Sequence, residues 1–352
     1  MTTIGARSGI LLVDKPAGIT SHDVVSRTRK LAGTRKVGHA GTLDPMATGL
    51  LVLGLNASTR LLTWVVGLDK EYSATIRLGA STTTDDREGD VLETAPAGTV
   101  QEISGSVLAA EIARLTGAIE QVPSSVSAIK VDGRRAYALV REGQEVELKS
   151  RAVTVAEFVV TDRRLADDRF IDLDVRVVCS TGTYIRALAR DLGKALGVGG
   201  HLTALRRTRI GPFRVSDAAT LESLNPSEAL IGPATAAAAL FPVVDLDERQ
   251  TLELGQGKRL VLDDAPDGEP VAAIAPDGRL IGLVTILDGR ARTLVNFPPD
   301  SAPPIPQDSA SPAPPNTAAE TEPDSGPDSS VDRGRGSSRT SSQNSSAGQG
   351  TP

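Results

Sequence analysis

Asp44 is the only carboxylate between Asp23 and Asp69, and it stands in the run Gly38-His39-Ala40-Gly41-Thr42-Leu43-Asp44-Pro45-Met46-Ala47-Thr48-Gly49. Arg27, Arg29, Lys30, Arg35 and Lys36 precede it. One acid behind a block of cations suits chemistry on an anionic substrate: the cations draw phosphates in, and the carboxylate acts on what they deliver. Glycines on both sides strip side-chain bulk, which predicts close approach of a large substrate to the backbone. The plainer alternative is structural, since Asp before Pro is a common turn former. Other enzyme chemistries lack their residues here: there is no Ser-His-Asp order, no Cys-His pair, no phosphate loop ending in Lys-Ser/Thr and no dinucleotide fingerprint. A carboxylate nucleophile remains. One cysteine, Cys179, with three scattered histidines, His22, His39 and His201, makes neither an internal disulfide nor a metal set.

Elements must hold this loop in place, and their pattern is legible. Ile10-Leu11-Leu12-Val13 reads as a short strand, and Ser21 as the N-cap of a helix that runs to about Leu31 and stops near Gly33. Leu50-Leu51-Val52-Leu53-Gly54-Leu55 reads as a buried strand, and Tyr72 to Leu78 as a half-exposed one. Ile171, Leu173, Val175 and Val177 alternate in a strand that ends at Cys179-Ser180-Thr181-Gly182. A helix follows at once, with Ile185, Leu188, Ala189, Leu192 and Leu196 on one face and Gly197 as its stop. That junction puts Tyr184 and Arg186 at the first turn of a helix beside the mouth of a sheet. Residues 241–297 read as short β-segments between Pro-Asp-Gly and Asp-Gly turns, a small β-barrel-like domain. The stretch 232–239 is either the boundary or the last helix of the first domain.

The chain has 352 residues, 39% hydrophobic and 23% charged, enough for one large or two smaller cores. No apolar run approaches the roughly 20 residues of a membrane span, and the N-terminus lacks the apolar core of a secretory signal, so a cytoplasmic protein is expected. Residues 298–352 hold seven acids and three arginines, leaving only −2 of the net −6 on residues 1–297. From Arg176 to Arg214 eight cations face Asp191 alone, the footprint of a nucleic-acid partner or else a solvated basic face. Residues 241–297 carry ten acids against six cations, which weighs against strong phosphate binding there. Ser301 to Pro352 is rich in Pro, Ser, Gly, Asp and Thr with few large apolar residues, and is expected to be a disordered tail whose removal after Phe297 leaves activity unchanged.

The run from Gly38 to Gly49 resembles the signature of the TruB-type pseudouridine synthases. Further islands match in the family's order over roughly residues 9–215: Lys15-Pro16-Ala17-Gly18, Lys70-Glu71-Tyr72, Ser127-Ala128-Ile129-Lys130 with Gly133 and Tyr137, Gly182-Thr183-Tyr184-Ile185-Arg186, and Leu205-Arg206-Arg207-Thr208. The resemblance implies an α+β fold, a mixed and largely antiparallel sheet flanked by helices. It also implies a catalytic domain at 1–238 and a small PUA-like β-rich domain at 239–297, with or without an RNA contact of its own, while composition sets off the tail at 298–352. It implies isomerisation of uridine 55 in the T-loop of tRNA, without cofactor or metal, and the local form of the signature matches the stand-alone enzymes more than the guide-RNA-dependent ones. A monomer binding the tRNA T-arm is expected.

By the same resemblance Asp44 is the essential carboxylate, Tyr72 lies against the target base as a candidate for proton transfer, and Arg186 pairs with the acid. Tyr184 and Leu205 line the uracil pocket, and His39 helps hold the loop with the target nucleotide turned out, since its C1′ and C5 are out of reach inside a stack. Lys15, Lys130, Arg206 and Arg207 are candidate phosphate contacts, or surface charges with no specific role. Two departures stand out: Thr82-Thr83-Thr84-Asp85-Asp86 replaces the usual Thr-Asp-Thr, and Val126 stands where a tyrosine is frequent. Both are expected to lie outside the catalytic constellation. The rival readings are a synthase for another uridine in transfer or ribosomal RNA, and a non-catalytic RNA-binding protein.

Overall fold

The computed structural model describes residues 5, 7–124, 148–262 and 265–300, together with the backbone of 130–131 and 134–135. The expectations for Val126, for the side chain of Lys130 and for the tail from Ser301 fall outside the described residues. The chain begins with β1 (Gly9–Lys15), α1 (Ser21–Ala32), β2 (Val37–Ala40), β3 (Thr48–Leu55), α2 (Leu62–Gly67) and β4 (Lys70–Leu78). A hairpin of β5 (Ala80–Thr82) and β6 (Val91–Thr94) leads to α3 (Gly105–Arg114), β7 (Gly117–Gln121), β8 (Arg151–Leu165), β9 (Ile171–Cys179), α4 (Ile185–Ala195) and β10 (Gly200–Ile210). The short strands β11 (Phe213–Arg214) and β12 (Ala219–Thr220) follow.

These strands make a ten-stranded sheet in the order β12-β1-β3-β10-β4-β9-β8-β7, with β2 on β3 and β11 on β10. Only β12 with β1 and β3 with β10 run parallel. The sheet is therefore mixed and largely antiparallel, as the resemblance implies. Period-2 burial explains the strands: in β4, Lys70, Tyr72, Ala74, Ile76 and Leu78 all turn inward. Ile185, Leu188, Ala189 and Leu192 of α4 pack on that same face, each large apolar side chain contributing about 1.5–3 kcal/mol by its burial.

Residues 226–300 add α5 (Pro226–Ala229), α6 (Pro233–Ala238) and a five-stranded sheet, β13 (Val243–Asp245), β14 (Leu260–Val261), β15 (Gly268–Ile274), β16 (Leu280–Leu287) and β17 (Arg290–Asn296). Its order is β13-β15-β16-β17-β14, and α7 (Glu248–Gly255) packs beside it. The small-residue stretch at 232–239 is thus a helix, and α7 is an element the turn pattern hides. The signal for it is the capping box of Asp247 and Gln250. Ala272, Leu280, Leu283 and Phe297 share one apolar cluster with Ile10, Leu12, Leu50 and Val52, so the small sheet closes the core of the large one. No helix among the described residues is long and apolar enough to cross a membrane.

Candidate active site

Asp44 sits on the loop between β2 and β3, and that loop is pinned on both sides of the acid. Before it, Ser21 Oγ accepts from Leu43 N at 2.9 Å and donates to Leu43 O at 3.1 Å. After it, Pro45 O accepts from Gly18 N at 2.9 Å and from Lys15 Nζ at 3.2 Å. Ser21 is free for this because Thr20, not Ser21, caps α1, in a reciprocal box with Asp23. The expected N-cap is therefore one residue late.

The sheet register assembles the rest. On β10, Arg207 stands beside Gly49 of β3 on one side and Tyr72 of β4 on the other. Leu205, two residues earlier, stands beside Ala74. A cleft of about 450 Å³ opens over this row and is lined by Asp44, Tyr72, Tyr184, Arg186, Leu205 and Arg207, among others. Tyr184 precedes α4 and is held by buried Gln121, whose side chain accepts from Tyr184 N at 2.8 Å and donates to Tyr184 O at 3.0 Å. Burial raises the Tyr72 phenol pKa above its ordinary value, against the opposing effect of Arg207, so Tyr72 enters the cleft as a neutral ring with its proton in place.

Arg186 is the hub. It is only 4% exposed, with Nε 3.1 Å from Asp44 Oδ2, Nη1 3.3 Å from Asp86 Oδ2, and Nη1 donating to Thr84 O at 2.8 Å. A cation in the first turn of a helix opposes the helix dipole, and two carboxylates offset that cost. Asp86 is as buried as the arginine, and its Oδ1 accepts from Thr84 Oγ1 at 2.6 Å and Glu88 N at 3.0 Å. Asp44 keeps 35% exposure and presents its carboxylate to the cleft. The run 82–86 therefore lies inside the constellation, contrary to the expectation above: Leu202 N donates to Asp85 O at 3.0 Å and carries the turn to β10. Asp44 is isolated in sequence but not in space.

Other expected residues are placed differently. Lys15 is fully buried and spends its three ammonium protons on Pro16 O, Ile19 O and Pro45 O, leaving none for a phosphate. Burial lowers its pKa to about 8, with Asp44 the leading opposing charge. Arg207, 1% exposed, donates to Leu50 O at 2.8 Å and Gly41 O at 3.1 Å, so it braces the Asp44 loop. Arg206 pairs with Asp14 at 2.6 Å. His39, on β2 and half-buried, meets His22 edge to face at 5.6 Å and does not line the cleft. Lys130 lies on a two-residue strand paired with Arg134–Arg135.

Two of the glycines serve the fold: a Cβ at Gly49 would lie 2.3 Å from Arg207 O, and one at Gly38 would lie 3.1 Å from Leu62, whereas Gly41 lines the cleft. The basic block from Arg176 to Arg214 is largely neutralised, by its own Asp191 and by carboxylates from elsewhere in the chain. Arg176 meets Glu71 and Glu157, Arg190 meets Asp85 and Asp191, and Arg209 meets Glu71.

Comparison with known proteins agrees with this architecture. The family model described as "TruB family pseudouridylate synthase (N terminal domain)" matches residues 29–185, "tRNA pseudouridylate synthase B C-terminal domain" matches 186–244, and "tRNA Pseudouridine synthase II, C terminal" matches 241–298. A protein of Leifsonia xyli named tRNA pseudouridine synthase B is 63% identical over 295 residues, covering 83% of this chain and 97% of that one. One of the same name from Thermobifida fusca is 53% identical over 294 residues, covering 82% and 98%. Among solved structures, a chain from an H/ACA RNP bound to a substrate RNA has the same fold, with a TM-score of 0.61 at 24% identity over 83% of this chain and 86% of that one. A chain from a Cbf5-Nop10-Gar1 complex aligns with a TM-score of 0.59 at 26% identity, over 81% and 80%. With the family's fold, the aspartate loop at the mouth of the cleft and relatives matched along nearly their whole length, the chain belongs to the TruB family of pseudouridylate synthases.

Proposed function

We propose that this enzyme isomerises uridine 55 in the T-loop of tRNA to pseudouridine, with Asp44 as the essential carboxylate and no guide RNA. The observation that carries the reading is the Asp44–Arg186 pair at 3.1 Å: the acid's partner is almost wholly buried while the acid itself faces an open cleft. Isomerisation breaks the N1–C1′ bond of uridine, turns the uracil and joins C5 to C1′, with loss of a proton from carbon. A fixed carboxylate suits this as nucleophile or as the anion facing a cationic intermediate. The uridine must leave its stack to enter the cleft, which costs a few kcal/mol. A neutral aromatic face such as Tyr72 returns about 1–3 kcal/mol by stacking on the base. Tyr184 and Leu205 close the pocket around it. The names of the relatives support tRNA as substrate, and the stand-alone form of the Asp44 signature supports action without a guide.

The test is incubation of the purified chain with an unmodified tRNA transcript, followed by chemical mapping of pseudouridine. Product at position 55 is expected. Its absence would refute the reading, and product at another uridine would move the target. Asp44→Asn is expected to abolish product while binding tRNA within a few-fold of wild type, and turnover by that variant would remove Asp44 from its role.

A further inference from the structure

The cations of this chain divide by what faces them. Those between Arg176 and Arg214 mostly meet carboxylates or backbone carbonyls inside the protein. Arg27 and Lys30 of α1, and Arg35 and Lys36 after it, do not. Along α1, His22, Asp23, Ser26, Arg27, Arg29 and Lys30 are exposed, while Ser21, Val24, Val25, Thr28 and Ala32 are buried, so the helix turns one continuous polar face outward. Arg35 and Lys36, also exposed, extend that face past the helix end at Gly33. Arg29 donates to Val37 O at 3.1 Å. Among the described residues, no ion pair or hydrogen bond engages the side chain of Arg27, Lys30, Arg35 or Lys36, and it is the backbone N–H of Lys36 that donates to Thr34 Oγ1 at 3.3 Å. Asp23, the one acid on this face, is turned back onto Thr20, accepting from Thr20 N at 2.8 Å and Thr20 Oγ1 at 2.7 Å.

Like charges three or four apart on a helix repel by a few tenths of a kcal/mol, so an unpaired basic face opposes folding slightly unless a polyanion covers it. The position of the face supplies the polyanion. Ser21, at the start of α1, is bonded to both backbone groups of Leu43, the residue before Asp44. The N-terminal end of α1 is therefore tied to the Asp44 loop through its buried side, and the exposed face extends along the 12 residues of the helix, about 18 Å at 1.5 Å per residue.

We propose that the outward face of α1, continued by Arg35 and Lys36, is the docking surface for the sugar-phosphate backbone of the RNA stem that carries the reacting uridine. This rests on RNA being the substrate, and names the surface that holds it. The contacts are to phosphate, so they set affinity and register and do not read sequence.

Binding of an unmodified tRNA transcript to the full chain, measured by filter retention from about 50 to about 200 mM salt, tests the surface. Arg27→Gln combined with Lys30→Gln is expected to weaken binding by about ten-fold and to flatten the plot of log affinity against log salt by about 1–2. Arg35→Gln combined with Lys36→Gln is expected to do the same. Lys194→Gln combined with Arg214→Gln, two exposed cations elsewhere, removes equal charge and sets the non-specific baseline. Losses in both α1 pairs beyond that baseline support the surface, whereas α1 pairs that match wild type or the baseline pair overturn it. Pseudouridine mapping with wild-type protein runs in parallel: lack of product there counts against the reaction, while the salt slopes still decide the docking face.

Discussion

Arg186 shows how one buried cation organises a site. Its guanidinium spans Asp44, which faces the cleft, and Asp86, which does not, so Asp86 fixes the arginine that aims the acid. Asp86→Ala leaves that buried guanidinium short of a partner and is expected to cost about 3 kcal/mol of stability in urea unfolding, together with most of the pseudouridine formation. A loss below about 1 kcal/mol with full activity would show the pair to be dispensable. His39 makes a separate prediction through pH. Burial, and then the neighbouring His22, lower its pKa from the usual 6.5, so the unfolded chain binds the proton more readily than the folded one. Its contribution to stability is then complete above about pH 6.5 and is lost as pH falls toward the lower folded value. Urea midpoints measured between pH 7.5 and 5 are expected to fall less for His39→Gln than for wild type, and parallel curves would refute the assignment.

At the scale of elements, the Asp44 loop owes its shape to its neighbours more than to its own residues. Ser21 of α1 holds Leu43, Lys15 at the end of β1 holds Pro45, and Arg207 of β10 holds Gly41. Ser21 is 1% exposed, so Ser21→Ala strands two backbone groups of Leu43 out of reach of water. About 2 kcal/mol is expected for that loss, with a fall in kcat larger than any change in KM, because the displaced group is Asp44. Thr20→Ala, by contrast, removes only the helix cap and is expected to cost about 1 kcal/mol with kcat close to wild type. Equal effects of the two on kcat would mean that Ser21 acts through the helix alone.

At the scale of the molecule, the two sheets share one apolar cluster. Leu280 and Leu283 of the small sheet, with Phe297 just after its last strand, complete the cluster around Ile10 and Leu50, and their combined burial contributes roughly 5 kcal/mol or more. A chain ending at Leu240 is therefore expected to unfold far more easily than the full protein, even though every cleft residue precedes that point. Ser8 N donates to Asp300 Oδ2 at 2.9 Å, a bond that a cut after Phe297 removes and a cut after Asp300 keeps. A chain ending at Asp300 is expected to keep activity within about two-fold, since the residues beyond it lack the apolar content to add to a core. A large loss would give the tail a role.

Much of this was legible in the residues. The strand periods, the helix stop at Gly33, the turn into α4 and the lone acid at Asp44 are local patterns, and local sterics and burial enforce them wherever the chain goes. Spacing singled out Asp44, and the resemblance to a known family, not spacing, put Tyr72, Tyr184, Arg186 and Leu205 beside it. What each charge does was decided only in three dimensions, because the partner of a buried ion is chosen by sheet register and loop packing across a hundred residues. Thus Asp86 reaches Arg186 through its tie to β10, Lys15 and Arg207 turn inward to carbonyls, and the glycines around Asp44 admit neighbouring strands and side chains. Sequence determined that one carboxylate stood apart; the tertiary structure decided that it shares its arginine with a second, since desolvated charge must find its counter-charge wherever the fold brings one.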